Sequence, residues 1–243
     1  MCELFGISGS APIQVNEYLK EFFSHSVNHP DGWGMAVFDK ESINLEKEPI
    51  CAVESHYLKE RIKSPLFVQN MMAHIRLATR GVMSYENCHP FIKSDFSGRK
   101  WTLIHNGTIF HCPVVDKFIN VQQGLTDSER ILYYIIEKIN DSLKEKEGPL
   151  DEEERCEVID RVILQITPNN NKVNLLLYDG ELCYVHTNFK NTLYQKKEGS
   201  SIFFSTVALD MDEWNPVTFM QLEVYKDGDL IFTGTKHKEE YIL

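Results

Sequence analysis

The nine residues MCELFGISG, numbered 1–9, open the chain and decide the fold. They form a short apolar run ended by glycines, which predicts a β-strand that begins almost at the first residue. Because a chain terminus is usually frayed, a strand at this position indicates that the terminus is held in place. Cys2 would then stand at the start of an ordered strand.

Cys2 has two interpretations. Its small side chain would allow removal of Met1, and the α-amine exposed in this way has an ordinary pKa of about 7.7–8.0. That amine could act as a general base toward the thiol of the same residue, so no catalytic histidine is needed. From position alone, the commoner interpretation is a small buried apolar residue.

The N-terminal half of the chain mixes helix and strand. Asn106-Gly107 is a turn signal inside one apolar run, so it predicts that this strand is interrupted there. Hydrophobic periodicity predicts a helix within residues 15–27, strands at 33–39, 70–79 and 101–109, and irregular chain over 40–68 with a short helix near 56–62.

The C-terminal half predicts two helices and then antiparallel strands. An apolar stripe marks a helix from Asp127, with Thr126 as its cap and Glu129 placed as in a capping box. A charged link leads to a second amphipathic segment near 158–163, which would pair antiparallel with the first helix. After Asn169 short alternating strands follow, and this order favours an α+β layered fold over a parallel βαβ fold.

The composition of the chain narrows the classes of protein to which it can belong. The 243 residues, 42% of them apolar, suit one large domain, or at most two small ones, with a real core. The formal net charge of −11 argues against a nucleic-acid or anionic-membrane surface, because either needs clustered Lys and Arg. No apolar run is long enough for a bilayer. Without a recognisable signal peptide, the six cysteines are expected to stay reduced in the cytoplasm.

Four further residues could take part in a reaction, and each has a plainer alternative interpretation. Arg76 lies in an apolar run, where its guanidinium could hold a carboxylate or simply face the polar side of a strand. Asn106 and Gly107 could offer an amide and a backbone N–H to an oxyanion, or form only a turn. Asp127 could bind an ammonium group, or only favour the start of its helix.

Taken together, these segments resemble the class II glutamine amidotransferases, which are N-terminal-nucleophile hydrolases, and in particular their stand-alone YafJ-like branch. The resemblance runs nearly end to end and includes FFSTVALDMDEW near the C-terminus. Cys88 is a mild departure, since the branch often has threonine there. The motifs that carry the resemblance are MCEL at 1–4, DGWG at 31–34, HIR at 74–76, TRG at 79–81, ENCHPF at 86–91 and Trp101 before HNG at 105–107.

The resemblance implies a four-layer αββα sandwich of two antiparallel sheets flanked by helices, as one domain over residues 1–243 with a mature chain that starts at Cys2. It implies glutamine as substrate, a γ-glutamyl thioester, and release of ammonia and glutamate. No cofactor or metal is implied. The implied roles are nucleophile and base for Cys2, oxyanion donors for Asn106 and Gly107, α-carboxylate binding for Arg76 and Thr79, and α-ammonium binding for Asp127.

Alternatives of other classes remain. A papain-like hydrolase lacks its local cysteine sequence here. A non-catalytic regulatory or binding subunit with the same fold is opposed by the presence of every implied site residue. A zinc protein lacks the usual ligand spacing, although it could draw on Cys88, His89, His105, His111 and Cys112.

The sequence says less about the substrate and the partner than about the fold. No ammonia-using domain is visible, so either a separate protein uses the ammonia or the enzyme hydrolyses a γ-glutamyl bond. A eukaryotic relative of the branch takes part in glutathione degradation with a partner subunit, so a γ-glutamyl peptide and a peptidase partner form the alternative. Glutamine is placed somewhat ahead of it.

Overall fold

The computed structural model describes residues 2–39, 42–78, 82–146 and 148–243. Within them, two large antiparallel sheets are flanked by helices, and a third, two-stranded sheet pairs Ile13–Gln14 with Phe67–Val68. The helices are α1 (Asn16–Ser24), α2 (His56–Arg61), α3 (Pro113–Asp116), α4 (Asp127–Glu145) and α5 (Glu152–Ile166). In chain order the strands are β1 (Glu3–Gly9), β2 (Ile13–Gln14), β3 (Trp33–Phe38), β4 (Ile43–Glu48), β5 (Phe67–Val68), β6 (Asn70–Ile75), β7 (Phe91–Ser94), β8 (Lys100–Thr108), β9 (Lys172–Tyr178), β10 (Cys183–His186), β11 (Tyr194–Glu198), β12 (Ser201–Ser205), β13 (Asn215–Pro216), β14 (Glu223–Lys226) and β15 (Asp229–Thr233).

The first sheet holds the N-terminal strand in its middle. Its order is β13-β11-β12-β1-β6-β3-β4, and β1 pairs antiparallel with β12 and β6 on its two sides. The expected strand next to Cys2 is therefore confirmed, and hydrogen bonds on both sides hold it in place.

The second sheet carries the Asn106-Gly107 segment. Its order is β15-β14-β10-β9-β8-β7, so β8 lies between β9 and β7. Its hairpins β9–β10 and β14–β15 turn at Asp179-Gly180 and Asp227-Gly228, as these dipeptides predict, with positive φ at Gly180, Asp227 and Gly228.

Three apolar clusters define the layers, and they confirm the four-layer αββα sandwich. Helix α1 covers the outer face of the first sheet through Leu19 and Phe22. Helices α4 and α5 cover the outer face of the second sheet through residues such as Ile135 and Ile159. Between the sheets, the first contributes Leu4, Ala36 and Met72, and the second contributes Ile104, Leu176 and Tyr178.

Several local expectations were wrong. Residues 43–48 form β4 rather than irregular chain, because they pair residue by residue with β3 at the edge of the first sheet. Asn106 and Gly107 do not interrupt their strand, since they pair with Asn174 and Val173 inside the β8–β9 ladder.

The start of α4 follows half of its predicted pattern. Thr126 caps the helix by accepting from the N–H of Glu129. The Glu129 carboxylate does not complete a capping box with Thr126. It accepts instead from the N–H groups of Gln123 and Gly124, at 2.7 and 2.8 Å, and so orders the loop before the helix. In the described ranges, every helix is too short or too polar to cross a membrane.

Candidate active site

Cys2 lies at the N-terminal end of β1, next to the end of β6. Glu3 is opposite Ile75 in the β1–β6 register, so Cys2 is placed beside Arg76. Its Sγ lies 3.6 Å from the carbonyl oxygen of Leu77. Burial raises the pKa of the thiol, and the positive charges of Arg76 and Lys172 oppose that rise. The resting thiol is therefore protonated at neutral pH and needs a base before it can act as a nucleophile.

A cavity of about 260 Å³ opens at Cys2. This volume is below the roughly 300–1,000 Å³ of sites for drug-sized ligands, so it suits a molecule the size of an amino acid. Residues from both sheets and from α4 line the cavity, and they include Cys2, Arg76, Gly107, Asp127 and Arg130.

Arg76 directly follows β6 and is 3% exposed. Its backbone continues into hydrogen bonds with the chain before β3: its N–H donates to the carbonyl of Gly32, and its carbonyl accepts from the N–H of Asp31. Its Nη1 lies 3.4 Å from the carbonyl oxygens of Asp31 and Val82. These contacts fix the guanidinium at the cavity wall. Thr79, the expected second carboxylate ligand, lies outside the described residues.

Gly107 brings a backbone N–H to the cavity. In the β8–β9 ladder it is opposite Val173, whose N–H donates to Asn188 Oδ1 and whose carbonyl accepts from His186 Nδ1. Val173 therefore points its polar backbone groups toward β10, so the N–H of Gly107 must point away from β9. On that side β7 pairs with β8 only from Lys100 to Leu103. Gly107 therefore has no partner residue in β7, and its N–H faces the cavity that it lines.

Asn106 is 4% exposed and lies next to Gly107, but it is not among the residues that line the cavity. Its Oδ1 accepts a hydrogen bond from Lys172 Nζ at 3.3 Å. An added Cβ at Gly107 would collide with the carbonyl oxygen of Lys172 and with His105 Nε2. Glycine is therefore required here for close approach of two strands, and not for a turn.

Asp127 stands at the first turn of α4 and lines the cavity. Its Oδ2 accepts from the N–H of Ile109 at 2.7 Å, and its Oδ1 accepts from the N–H of Ser128 at 2.9 Å. Each carboxylate oxygen has a second lone pair, so the group retains capacity for an ammonium donor from the cavity. The helix-start and ammonium-binding interpretations are compatible.

His105 connects the helix to the second sheet. Its Nε2 lies 3.1 Å from the carbonyl oxygen of Lys172, and its Nδ1 lies 2.9 Å from Ser128 Oγ. Burial lowers its pKa, opposed by the nearby Asp127 carboxylate. A neutral ring must donate from Nε2 to the carbonyl, so Ser128 donates to Nδ1. This fixed ring ties the start of α4 to β9.

Two cations of the site were missed by sequence reasoning. Lys172 is the first residue of β9. The sequence feature that could have pointed to it is a lysine at the start of the otherwise apolar strand KVNLLLY. Arg130 lines the cavity from α4 and pairs with Asp116 at 2.8 Å. In the four described ranges, no group of three or more His, Cys, Asp or Glu side chains is placed to hold a metal ion.

Comparison with known proteins gives the family. The family described as "Glutamine amidotransferases class-II" matches residues 1–198. An uncharacterised protein of Methanocaldococcus jannaschii is 26% identical over 97% of this chain and 72% of its own length. YafJ of Escherichia coli, named as a glutamine amidotransferase, is 30% identical over 57% of this chain and 55% of its own length.

Solved structures share the fold. A predicted glutamine amidotransferase from Pseudomonas aeruginosa superposes with a TM-score of 0.65 at 18% identity, over 95% of this chain and 100% of that one. The glutamine phosphoribosylpyrophosphate amidotransferase of B. subtilis gives a TM-score of 0.68 at 16% identity, over 97% of this chain and 49% of that one. The chain thus spans about half of the longer proteins that it matches.

Proposed function

The chain belongs to the class II glutamine amidotransferases, and on that premise we propose that it cleaves the side-chain amide of glutamine with Cys2 as the nucleophile. One observation carries the proposal: a single cavity is lined by Cys2, Arg76, Gly107 and Asp127, which come from four separate segments of the chain. A thiol, an oxyanion donor and two opposite charges are what an amide on a zwitterionic amino acid requires.

The proposed mechanism starts with removal of Met1, which frees the α-amine of Cys2. The amine takes the proton of the buried thiol, and the thiolate forms a C–S bond to the amide carbon. The oxyanion receives hydrogen bonds from Asn106 Nδ2 and the N–H of Gly107. As the C–N bond breaks, the α-ammonium returns the proton to nitrogen, and ammonia leaves. Water then attacks the thioester, which releases glutamate and the thiol.

The two charged residues would orient the substrate. Arg76 pairs with the α-carboxylate and Asp127 with the α-ammonium, so the side-chain amide is directed toward Cys2. We place the site on one domain spanning residues 1–243 that matures at Cys2, and the cytoplasmic location expected from the sequence is part of the same proposal. A separate ammonia-using protein is the proposed partner.

A second candidate function is hydrolysis of a γ-glutamyl peptide. Arg130 favours it, because this cation lines the same cavity in addition to Arg76. A γ-glutamyl peptide has a second carboxylate beyond the scissile bond, and Arg130 could pair with it. Glutamine has no such group.

The test follows glutamate and ammonia from the purified protein with glutamine and, separately, with glutathione. We expect turnover by a chain whose intact mass lacks one methionine, and loss of turnover in Cys2→Ala. Cys51→Ala is the matched control, since Cys51 is a buried free thiol outside the cavity. Full activity in Cys2→Ala, or in a chain that keeps Met1, would contradict the mechanism. A correctly processed chain inactive on both substrates would point to a missing partner protein.

A further inference from the structure

Lys172 is a buried cation behind the oxyanion donors. It is the first residue of β9, lies opposite Thr108 in the β8–β9 register, and is 3% exposed. Its Nζ donates to Asn106 Oδ1 at 3.3 Å and lies 4.9 Å from the centre of the Phe189 ring. A buried lysine is costly unless its charge has a role or a partner.

The contact with Asn106 decides the orientation of the carboxamide. An ammonium group has donors only, so it must face Oδ1. Nδ2 is then directed away from Lys172 and is left to donate elsewhere. Without Lys172, the amide could rotate by half a turn and present an oxygen where the reaction requires a donor.

Lys172 is also held by its backbone and coupled to Cys2. Its carbonyl accepts from His105 Nε2, and this ring is fixed by Ser128. Burial lowers the pKa of Lys172 to about 8, and the Cys2 thiolate opposes that fall. In turn, the charge of Lys172 opposes the rise in the pKa of the Cys2 thiol. A positive charge at Lys172 therefore favours negative charge on the sulfur of Cys2.

We propose that Lys172 is a positioning residue of this site: it holds the Asn106 carboxamide so that Nδ2 faces the oxyanion, and its charge stabilises the Cys2 thiolate. The inference rests on the proposed function, because it assigns Lys172 to the same amide-cleaving reaction. The two roles differ chemically. Orientation requires only a hydrogen-bond donor, whereas stabilising the thiolate requires a positive charge.

The test compares Lys172→Met, which removes both donor and charge, with Lys172→Gln, which keeps a donor without the charge. Removal of an oxyanion donor costs about 10²–10³ in kcat. We expect Lys172→Met to lower kcat on glutamine about 100-fold, with KM within about twofold of the parent. We expect Lys172→Gln to have a kcat at least tenfold higher than that of Lys172→Met. Lys196→Met is the matched control: Lys196 is also buried, but pairs with Asp210 and Asp212 outside the cavity.

Alkylation of Cys2 by iodoacetamide against pH supplies a readout that a purely structural role would not move. Both Lys172 variants should need a higher pH than the parent for half-maximal rate, while Lys196→Met should not. An unchanged alkylation profile together with unchanged kcat in a folded Lys172→Met would overturn the inference. Loss of the fold in both Lys172 variants would also overturn it, and would assign Lys172 to stability.

The two proposals fail separately. If the parent turns over no substrate but its alkylation profile shifts in both Lys172 variants, the proposed function fails while the coupling between Lys172 and Cys2 stands. If the parent is active and the variants match it, only the role of Lys172 fails.

Discussion

Asp127 Oδ2 lies 2.7 Å from the backbone nitrogen of Ile109, so the start of α4 is bonded to the chain that leaves β8. This bond ties the proposed ammonium ligand to the strand that carries Asn106 and Gly107. Together with the contact between Ser128 and His105, it fixes the position of Asp127 relative to Gly107. The same carboxylate thus has a structural acceptor role and a proposed ligand role.

These two roles of Asp127 are separable by Asp127→Asn. The asparagine oxygen can still accept from Ile109, but the side-chain amide cannot also accept from the N–H of Ser128, so the melting temperature should fall modestly. The negative charge is lost, and hydrogen bonds to charged groups contribute about 1.5–3 kcal/mol, so KM for glutamine should rise about 10- to 100-fold with kcat nearly unchanged. Steady-state kinetics and thermal unfolding measure both effects.

Two comparisons sharpen the Asp127 experiment. Asp141→Asn, a change at a partly exposed position on the same helix, should leave KM unaltered. A glutamine analogue with hydrogen in place of the α-ammonium should be a poor substrate for the parent and no poorer for Asp127→Asn. A further loss with that analogue would mean that Asp127 does not bind the ammonium.

Arg76→Lys tests the carboxylate clamp. Lysine keeps the charge but loses the planar fork that can bind a carboxylate in bidentate fashion and still reach the carbonyls of Asp31 and Val82. We expect kcat/KM for glutamine to fall about 10- to 100-fold, mainly through KM. An analogue lacking the α-carboxylate should show no additional loss in the variant. Equal loss for both substrates would assign Arg76 to structure alone.

Gly107→Ala should damage fold and activity together. The new methyl group would meet the carbonyl oxygen of Lys172, which cannot move without separating β8 from β9. Overpacking of this kind costs about 1–3 kcal/mol, and we expect the upper end in urea unfolding, with kcat down at least 100-fold. Gly98→Ala is the comparison: its Cβ enters open space at φ +88°, so it should cost about 1–2 kcal/mol of backbone strain and spare kcat. A fully stable Gly107→Ala would refute the close-approach argument.

The elements that could be predicted are those in which local pattern and tertiary packing agree. Strand β1, helix α1 and the long helices follow from apolar periodicity, and the hairpins follow from Asp-Gly dipeptides. The prediction of a turn at Asn106-Gly107 was wrong because the turn signal is local. Pairing with β9, more than sixty residues later, imposes the extended conformation. Strand β4 was missed because an edge strand has little apolar alternation.

The site residues likewise divide into those that the sequence predicts and those that depend on tertiary pairing. Cys2, Arg76 and Asp127 stand at the ends of recognisable elements, and the structure brings all three to one cavity. Lys172 could not be assigned from the sequence, because its relation to Asn106 exists only through the register of two distant strands. Arg130 lies on the α4 helix, where an arginine ordinarily indicates a solvated face.

The buried histidines make the fold sensitive to mild acid. Burial lowers the pKa of His74 and of His186 to about 3, against about 6.5 in the unfolded chain. Between these values the unfolded chain binds more protons, so stability is fully present above pH 6.5 and is lost as pH falls toward 3. Each such histidine adds a slope of about 1.4 kcal/mol per pH unit to the free energy of unfolding.

His186→Gln isolates one of these contributions. His186 bonds the carbonyl of Val173 through Nδ1 at 2.7 Å and faces His237 Nε2 at 2.9 Å, so a glutamine amide can keep one donor there without taking up a proton. Urea unfolding at pH 6.0, 5.25 and 4.5 should show a slope smaller than the parent's by about 1.4 kcal/mol per pH unit. A parental slope in His186→Gln would mean that His186 does not gain its proton on unfolding.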